Sequence, residues 1–373
     1  MGVGLVLVHQ KETARDPPQD AHYMLSEIRE EPLVLGETLA SLAYTCRRVA
    51  AELVGDGLDA VYFSGSGTSY HAAVSSNYLA SVLGSRPTQA VPASELSSWV
   101  QGALSRRSVF VAFSQSGESV DVLSAVRAVK RKGFRSVAIT NTPGSSLSEI
   151  VDYSIVTRGG QENAVTATKT FLCALAAAYL LIIDLADAAG SINGNKDALN
   201  AFRGEIMNSP AVVQETIRTC EGQAKSLAAL FAHNSSFFLL GHGANYATAL
   251  EGALKLKESC DVMAEGYAAR EFLHGPVQIL SKDTPVIFFS TKTDYDALEL
   301  LAGKLRGFGA PIIQVTEHEP PPNSEEQLAA AGGLSEPLSP LSLVVPVQLF
   351  AYYSAIDRGL NPDKPTKLTK VVK

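Results

Sequence analysis

Three groups of side chains in this sequence are spaced for chemistry. The first is rich in hydroxyls: Ser64-Gly65-Ser66-Gly67-Thr68-Ser69 and Ser114-Gln115-Ser116-Gly117-Glu118-Ser119 each end an apolar run and open a stretch of helical spacing. Glycine lets the backbone approach an anion, hydroxyls donate to it, and the first N–H groups of a helix add partial positive charge. Two such turns predict a phosphate cradle, against the plainer reading that both are helix caps. The second group is Glu251, Lys255 and Glu258, at i, i+4 and i+7 along one helix face. That spacing suits either a surface salt-bridge stripe or an acid–base carboxylate steadied by a cation. The third is His274, which precedes Gly275-Pro276 and so sits on a turn from which an imidazole can enter a cleft.

The elements that must position these groups occur twice. Val61-Tyr62-Phe63-Ser64-Gly65-Ser66-Gly67 resembles Phe237-Phe238-Leu239-Leu240-Gly241-His242-Gly243, 176 residues on. At the same offset Val109 to Ser114 matches Pro285 to Ser290, Gly133 matches Gly309 and Thr140 matches Thr316. Upstream, Glu27-Ile28, Pro32 and Glu37-Thr38-Leu39 recur as Glu205-Ile206, Pro210 and Glu215-Thr216-Ile217. The runs 60–64, 108–113 and 136–140 are apolar without alternation, as strands covered on both faces are. Between them lie helical patterns such as Val120 to Lys132. Each half is therefore predicted to be a helical lead-in followed by a parallel, doubly wound α/β sheet. Residues 1–22 read as an N-terminal arm, 23–190 and 191–360 as two domains, and 361–373 as a tail. Gly190–Lys196 reads as the connector between the domains, and the proline-rich, acidic stretch Glu319–Pro337 as a surface loop. The second half lacks the second hydroxyl turn, because Ser114-Gln115-Ser116-Gly117-Glu118 becomes Ser290-Thr291-Lys292-Thr293-Asp294. The halves have thus specialised, with phosphate assigned to the first.

Composition narrows the field further. With 373 residues, 46% of them hydrophobic, and a net charge of −7, the chain can bury large cores. It lacks the long-range field that attracts nucleic acid or anionic membranes. Cys46, Cys173, Cys220 and Cys260 lie far apart, which predicts buried thiols and a reducing cytoplasm and implies no metal. The apolar run Phe171–Ile183, thirteen residues closed by Asp184, is short for a membrane span and reads as a core helix. The N-terminus carries neither the basic region nor the cleavage site of a signal peptide.

Beyond spacing, whole motifs match a known pattern. Glu251-Gly-Ala-Leu-Lys-Leu-Lys-Glu258, then Ala264-Glu265 running to Glu271-Phe272-Leu273-His274-Gly275-Pro276, resembles the sugar isomerase (SIS) family. So do Gly67-Thr68-Ser69-Tyr70, Ser114-Gln115-Ser116-Gly117-Glu118, Ala167-Thr168-Lys169 and Asn361-Pro362-Asp363 through Lys370. The branch is that of glucosamine-6-phosphate synthase isomerase domains and the related deaminases, and the likeness runs from about Tyr23 to the end. It implies two tandem flavodoxin-like domains and a phosphosugar substrate without an organic cofactor. It assigns the sugar phosphate to Ser66, Gly67, Thr68, Ser69, Ser114, Gln115, Ser116, Ser119, Val165 and Ala167. It also implies that Glu258 moves a proton between C1 and C2, with Lys255 steadying the developing negative charge. His274, given by the neighbouring subunit of a homodimer, would open the ring, and Lys370 would form an imine with the ketose. Such chemistry needs one base near both carbons and an electrophile at the oxyanion.

Three departures from the family bear on nitrogen handling. Arg270 stands where synthases carry glycine, Thr166-Ala167 replaces Ala-Ser, and Ser66 replaces cysteine. Residue 2 is glycine and no cysteine precedes Cys46, so this chain is not expected to take ammonia from glutamine by itself. The expected activity is an isomerising deaminase acting between glucosamine 6-phosphate and fructose 6-phosphate plus ammonia. The alternatives are the isomerase subunit of a split synthase fed by a separate glutaminase, and a non-catalytic phosphosugar sensor.

Overall fold

Buried parallel strands and amphipathic helices alternate through most of the chain. The computed structural model describes residues 22–84, 86–96, 107–190, 195–318 and 326–370. The predicted N-terminal arm lies outside these apart from His22, as do residues 191–194 of the predicted connector. The first half runs α1 (Tyr23–Gly55), β1 (Ala60–Gly65), α2 (Thr68–Leu83), β2 (Thr88–Pro92), the single turn α3 (Ala93–Glu95) and β3 (Ser108–Phe113). It continues with α4 (Val120–Arg131), β4 (Arg135–Thr140), α5 (Ser146–Ile150), β5 (Tyr153–Val156) and α6 (Lys169–Ala188). The second half runs α7 (Lys196–Phe231), β6 (Ser236–Gly241), α8 (Asn245–Cys260), β7 (Met263–Ala268), β8 (Val286–Ser290), α9 (Tyr295–Gly307), β9 (Ile312–Thr316), β10 (Gln327–Ala329) and α10 (Pro340–Asp357).

Two five-stranded sheets result, ordered β2-β1-β3-β4-β5 and β7-β6-β8-β9-β10. Every pairing in both is parallel. This is the doubly wound arrangement with the flavodoxin-like strand order. The duplication extends to register: Tyr62 pairs with Phe110, and their equivalents Phe238 and Val286 also pair. β3 and β8 are buried at every residue, which is why their sequences show no alternation.

Tertiary hydrogen bonds repeat as well. Thr38 on α1 accepts from the N–H of Arg158 at 3.0 Å, and its equivalent Thr216 on α7 accepts from Ala331 at 3.0 Å. Glu27 accepts from the N–H groups of Asn163 and Ala164, while its equivalent Glu205 accepts from Ser335 at 2.6 Å. Each lead-in helix thereby tethers the loop that feeds the last helix of its own half.

Two features differ from the sequence reading or sharpen it. The predicted loop 319–337 contains, in its described part, the strand β10, whose residues pair with Gln314–Thr316. Three residues are too few to display a period of two. Helix α6 is long and apolar enough to cross a membrane by length and composition, with a mean hydropathy of 2.0. It is nonetheless buried over most of its length against α1 and α2, and Asp184 near its end pairs with Arg203.

Candidate functional site

At the carboxyl ends of β1 and β3 the chain makes two tight turns. A Cβ on Gly65 would stand 2.6 Å from the Ser69 backbone, and Gly67 takes φ 56°, so only glycine lets the turn fold back onto the start of α2. Neither Gly67 before α2 nor Ser119 before α4 makes a side-chain cap bond. Capping therefore does not account for the hydroxyls gathered here. Ser114 and Ser116 accept from the N–H groups of Gly117 and Glu118 at 3.1 and 3.2 Å, which holds the second turn in shape.

Both turns line one cavity of about 310 Å³. Ser66, Gly67, Thr68, Ser69, Ser114, Gln115, Ser116 and Ser119 form one side, and Val165 and Ala167 line it from the loop before α6. Glu258 and Lys370 also line it, as do Asp121, Asn141 and Glu162. Glu258 comes from the last turn of α8, a helix of the second half that packs against α2. A second cavity of about 480 Å³, between the end of α8 and the tail, shares Glu258 and Leu368 with the first.

Lys255 does not line this cavity. It is fully buried beneath it, with its ammonium 2.7 Å from Glu258 and 3.1 Å from Glu251. It also donates to Thr68 Oγ1 at 3.2 Å and to the Ala167 carbonyl at 3.1 Å. Glu251, likewise buried, accepts from Thr68 Oγ1 at 3.0 Å and meets His71 Nδ1 at 2.7 Å. Burial alone would push the Glu251 carboxyl up, but Lys255 and His71 hold it down at about 2. Burial would likewise pull the Lys255 ammonium down, yet Glu251 and Glu258 hold it above the usual lysine range. The helix-face stripe seen in the sequence is thus an internal ion cluster that joins α8 to α2 under the hydroxyl turn.

Lys370 reaches the cavity from the tail. Its amine lies 2.8 Å from Glu162 Oε2 and 2.5 Å from the Ala164 carbonyl. Glu162 is itself buried and accepts from the N–H groups of Thr168 and Thr170 and from the Thr170 hydroxyl. Desolvation works against its charge, but Lys370 and these donors hold its carboxyl below the ordinary value. Next to it, burial and then the Glu162 charge push Glu27 up to about 7.

The tail is tied to the start of α1 and to the loop before α6. Asp363 accepts from the N–H groups of Tyr23 and Met24, the first residues of α1, at 2.8 Å each. Its own carbonyl accepts from Val165, and Thr166, one of the departures from the family pattern, donates to the Pro362 carbonyl at 3.4 Å. Asp363→Ala is expected to cost about 1–2 kcal/mol, the value of a lost N-terminal cap. It should also speed amide exchange at Tyr23 and Met24. Unchanged exchange in a hydrogen-exchange mass measurement would show that the carboxylate does not hold the helix end.

His274, itself exposed, ends the 3-10 turn Glu271–His274 and does not line the cavity of its own chain. Arg270, just before that turn, has φ −76°, a conformation open to any residue, so replacing glycine there costs the backbone nothing. Sequence reasoning missed Glu162, His71, Glu27 and the capping role of Asp363. Each is defined by partners far away in the chain, and only the repeat of Glu27 as Glu205 gave any signal.

A model of the SIS domain matches residues 59–184 and 230–358. The chain is 36% identical over 94% of its length to the glutamine–fructose-6-phosphate aminotransferase of Gloeobacter violaceus, and 34% identical to that of Thermococcus kodakarensis. It spans 58% of the length of each of these relatives. Among solved structures, the C-terminal domain of glucosamine-fructose-6-phosphate aminotransferase from Francisella tularensis superposes with a TM-score of 0.85 at 27% identity. That match covers 92% of this chain and 99% of the other. Glucosamine-6-phosphate deaminase from Thermotoga maritima gives 0.75 at 25% identity, covering 94% and 99%. Two tandem copies of the fold, the family's turns on one cavity and the extent of these matches together place the chain in the SIS family.

Proposed function

We propose that the cavity binds an open-chain amino-sugar phosphate and that the chain interconverts glucosamine 6-phosphate with fructose 6-phosphate and ammonia. The observation that carries this reading is the meeting of a hydroxyl cradle, the Glu258 carboxylate and the Lys370 amine around a single cavity, whose lining also includes Asp121 and Glu162. Serine and threonine hydroxyls and helix N–H groups suit a phosphate in an acidic protein. Glu258 then takes the proton from C2 of the open-chain aldose and returns it to C1. The resulting C2 imine is hydrolysed by water, which releases ammonia and leaves the ketose.

Lys370 acts on the ketose side. Once it has passed a proton to Glu162, its amine adds to the C2 carbonyl and water leaves, giving an imine on the enzyme; Glu162 and the Ala164 carbonyl hold the amine in place. Lys255 acts from below by fixing Glu258, Thr68 and the Ala167 carbonyl, so its effect on developing charge passes through those groups. In this reading His274 opens the sugar ring in the cavity of a second copy within a homodimer, which agrees with its exposure here. The likeness to a deaminase that matches over 99% of its own length supports the degradative assignment.

A second reading has support of its own. The curated relatives at 34–36% identity are aminotransferases, which favours an isomerase subunit fed by a separate glutaminase. The purified chain, given glucosamine 6-phosphate alone, is expected to release ammonia and fructose 6-phosphate in equal amounts. No release, with amination of fructose 6-phosphate only when ammonia or a glutaminase is supplied, would select the second reading. With fructose 6-phosphate and borohydride, the peptide carrying Lys370 is expected to gain the mass of the reduced adduct. An adduct on another lysine would remove Lys370 from its role.

A further inference from the structure

The second half has its own version of the crevice that holds the site in the first half. Its rim is built from the β6–α8 turn, the β8–α9 turn and the loop before α10. These are the counterparts of the β1–α2 turn, the β3–α4 turn and the loop before α6. The backbone is reproduced closely: Gly243 takes φ 54° where Gly67 takes 56°, and Gly241 meets the start of α8 as Gly65 meets α2. The side chains are different. At the 176-residue offset, Ser66 becomes His242 and Glu118 becomes Asp294, and the third wall supplies Glu336.

These three residues converge. His242 Nδ1 lies 3.8 Å from Asp294 Oδ2 and 3.6 Å from Glu336 Oε1, and the three donor atoms all fall within 4.8 Å of one another. Asp294 is only 8% exposed. Its Oδ1 accepts from the N–H and hydroxyl of Thr291 at 2.7 and 2.9 Å, which aims the other oxygen into the cluster. Among the described residues that buried Oδ2 has no hydrogen-bond partner, a costly condition for a carboxylate unless something else meets it. Glu336 is held against the glycine turn, its Oε1 3.0 Å from where a Cβ on Gly243 would stand.

We propose that His242, Asp294 and Glu336 form a site for a divalent transition-metal ion. Two carboxylates and one imidazole supply two negative charges and one nitrogen donor. The nitrogen disfavours calcium and magnesium, which prefer all-oxygen shells, and the absence of thiolate disfavours copper(I). Tetrahedral zinc with bonds of about 2.0–2.1 Å places its ligands roughly 3.4 Å apart, so His242 needs to close on each carboxylate by only a few tenths of an ångström. His242 is largely exposed, which leaves coordination positions to water and makes the site a modest binder. A bound ion would clip together three loops of the second half, leaving the crevice of the first half to the sugar.

The test uses the full chain without an affinity tag, treated with chelator and then titrated with cobalt(II) and zinc(II). One equivalent of cobalt is expected to bind and give visible d–d absorption, with zinc displacing it and raising the melting temperature. His242→Ala, an exposed change, should weaken binding at least tenfold, and Asp294→Asn should do the same. Fructose 6-phosphate affinity should stay unchanged in both variants, which separates this site from the sugar cavity. Absence of stoichiometric binding, or binding unaltered in His242→Ala, would overturn the proposal. If Asp294→Asn proves unstable without metal, His242→Ala decides the question, since its side chain supports no core packing.

Discussion

Glu258→Gln is expected to keep its affinity for fructose 6-phosphate and to lose turnover by about 10²–10⁴-fold. The change is isosteric, so the cavity keeps its shape and the hydroxyl turns that line it keep their side chains. An amide cannot take the C2 proton, so the loss should fall on kcat while KM moves little. Calorimetric titration with the ketose phosphate and steady-state rates would separate the two. A variant that turns over at the normal rate would remove Glu258 as the base and leave it as a partner of Lys255 only.

Removing Lys255 should produce the largest loss of stability of any single change at the site. Its ammonium is fully buried between two carboxylates and also supports Thr68 and the Ala167 carbonyl. Lys255→Met fills similar volume but takes away the ammonium beside Glu251, leaving that buried carboxylate with Thr68 and His71 as its hydrogen-bond partners among the described residues. Breaking a buried pair from one side costs about 3–5 kcal/mol, and the urea midpoint should fall accordingly. Lys255→Met combined with Glu251→Gln should recover a substantial part of that loss, because the uncompensated charge has gone. If the single variant unfolds at the same urea concentration as the parent, the cluster contributes nothing to stability.

How much of this was legible beforehand follows from what kind of signal each feature leaves. Parallel strands covered on both faces leave unbroken apolar runs, so 60–64, 108–113 and 136–140 could be read directly and the repeat gave their counterparts. The turns at Ser66 and Ser114 were legible because glycine and hydroxyl residues cluster where a strand meets a helix. The spacing of Glu251, Lys255 and Glu258 placed them on one helix face, but spacing is silent about whether a face meets solvent, a substrate or another helix. The packing of α2 and of the loop carrying Ala167 against it makes that stripe internal. Glu162 and Asp363 were invisible for a stricter reason: their partners, Lys370 and the first N–H groups of α1, lie hundreds of residues away in the chain. The same holds for His242, Asp294 and Glu336, whose convergence depends on three separate loops.

The tail also has a meaning in the time order of synthesis. Chains made on the ribosome fold domain by domain from the N-terminus. The hydroxyl turns and the loop carrying Glu162 and Ala167 emerge with the first half, and Glu258 follows on α8. Lys370 follows α10 in the chain, on the same tail whose Asp363 reaches back to the start of α1. A nascent chain therefore acquires its hydroxyl turns and Glu258 well before Lys370. In the proposed reading the growing chain holds a sugar phosphate before it bonds to one covalently, and α1 waits for its cap until Asp363 has been made.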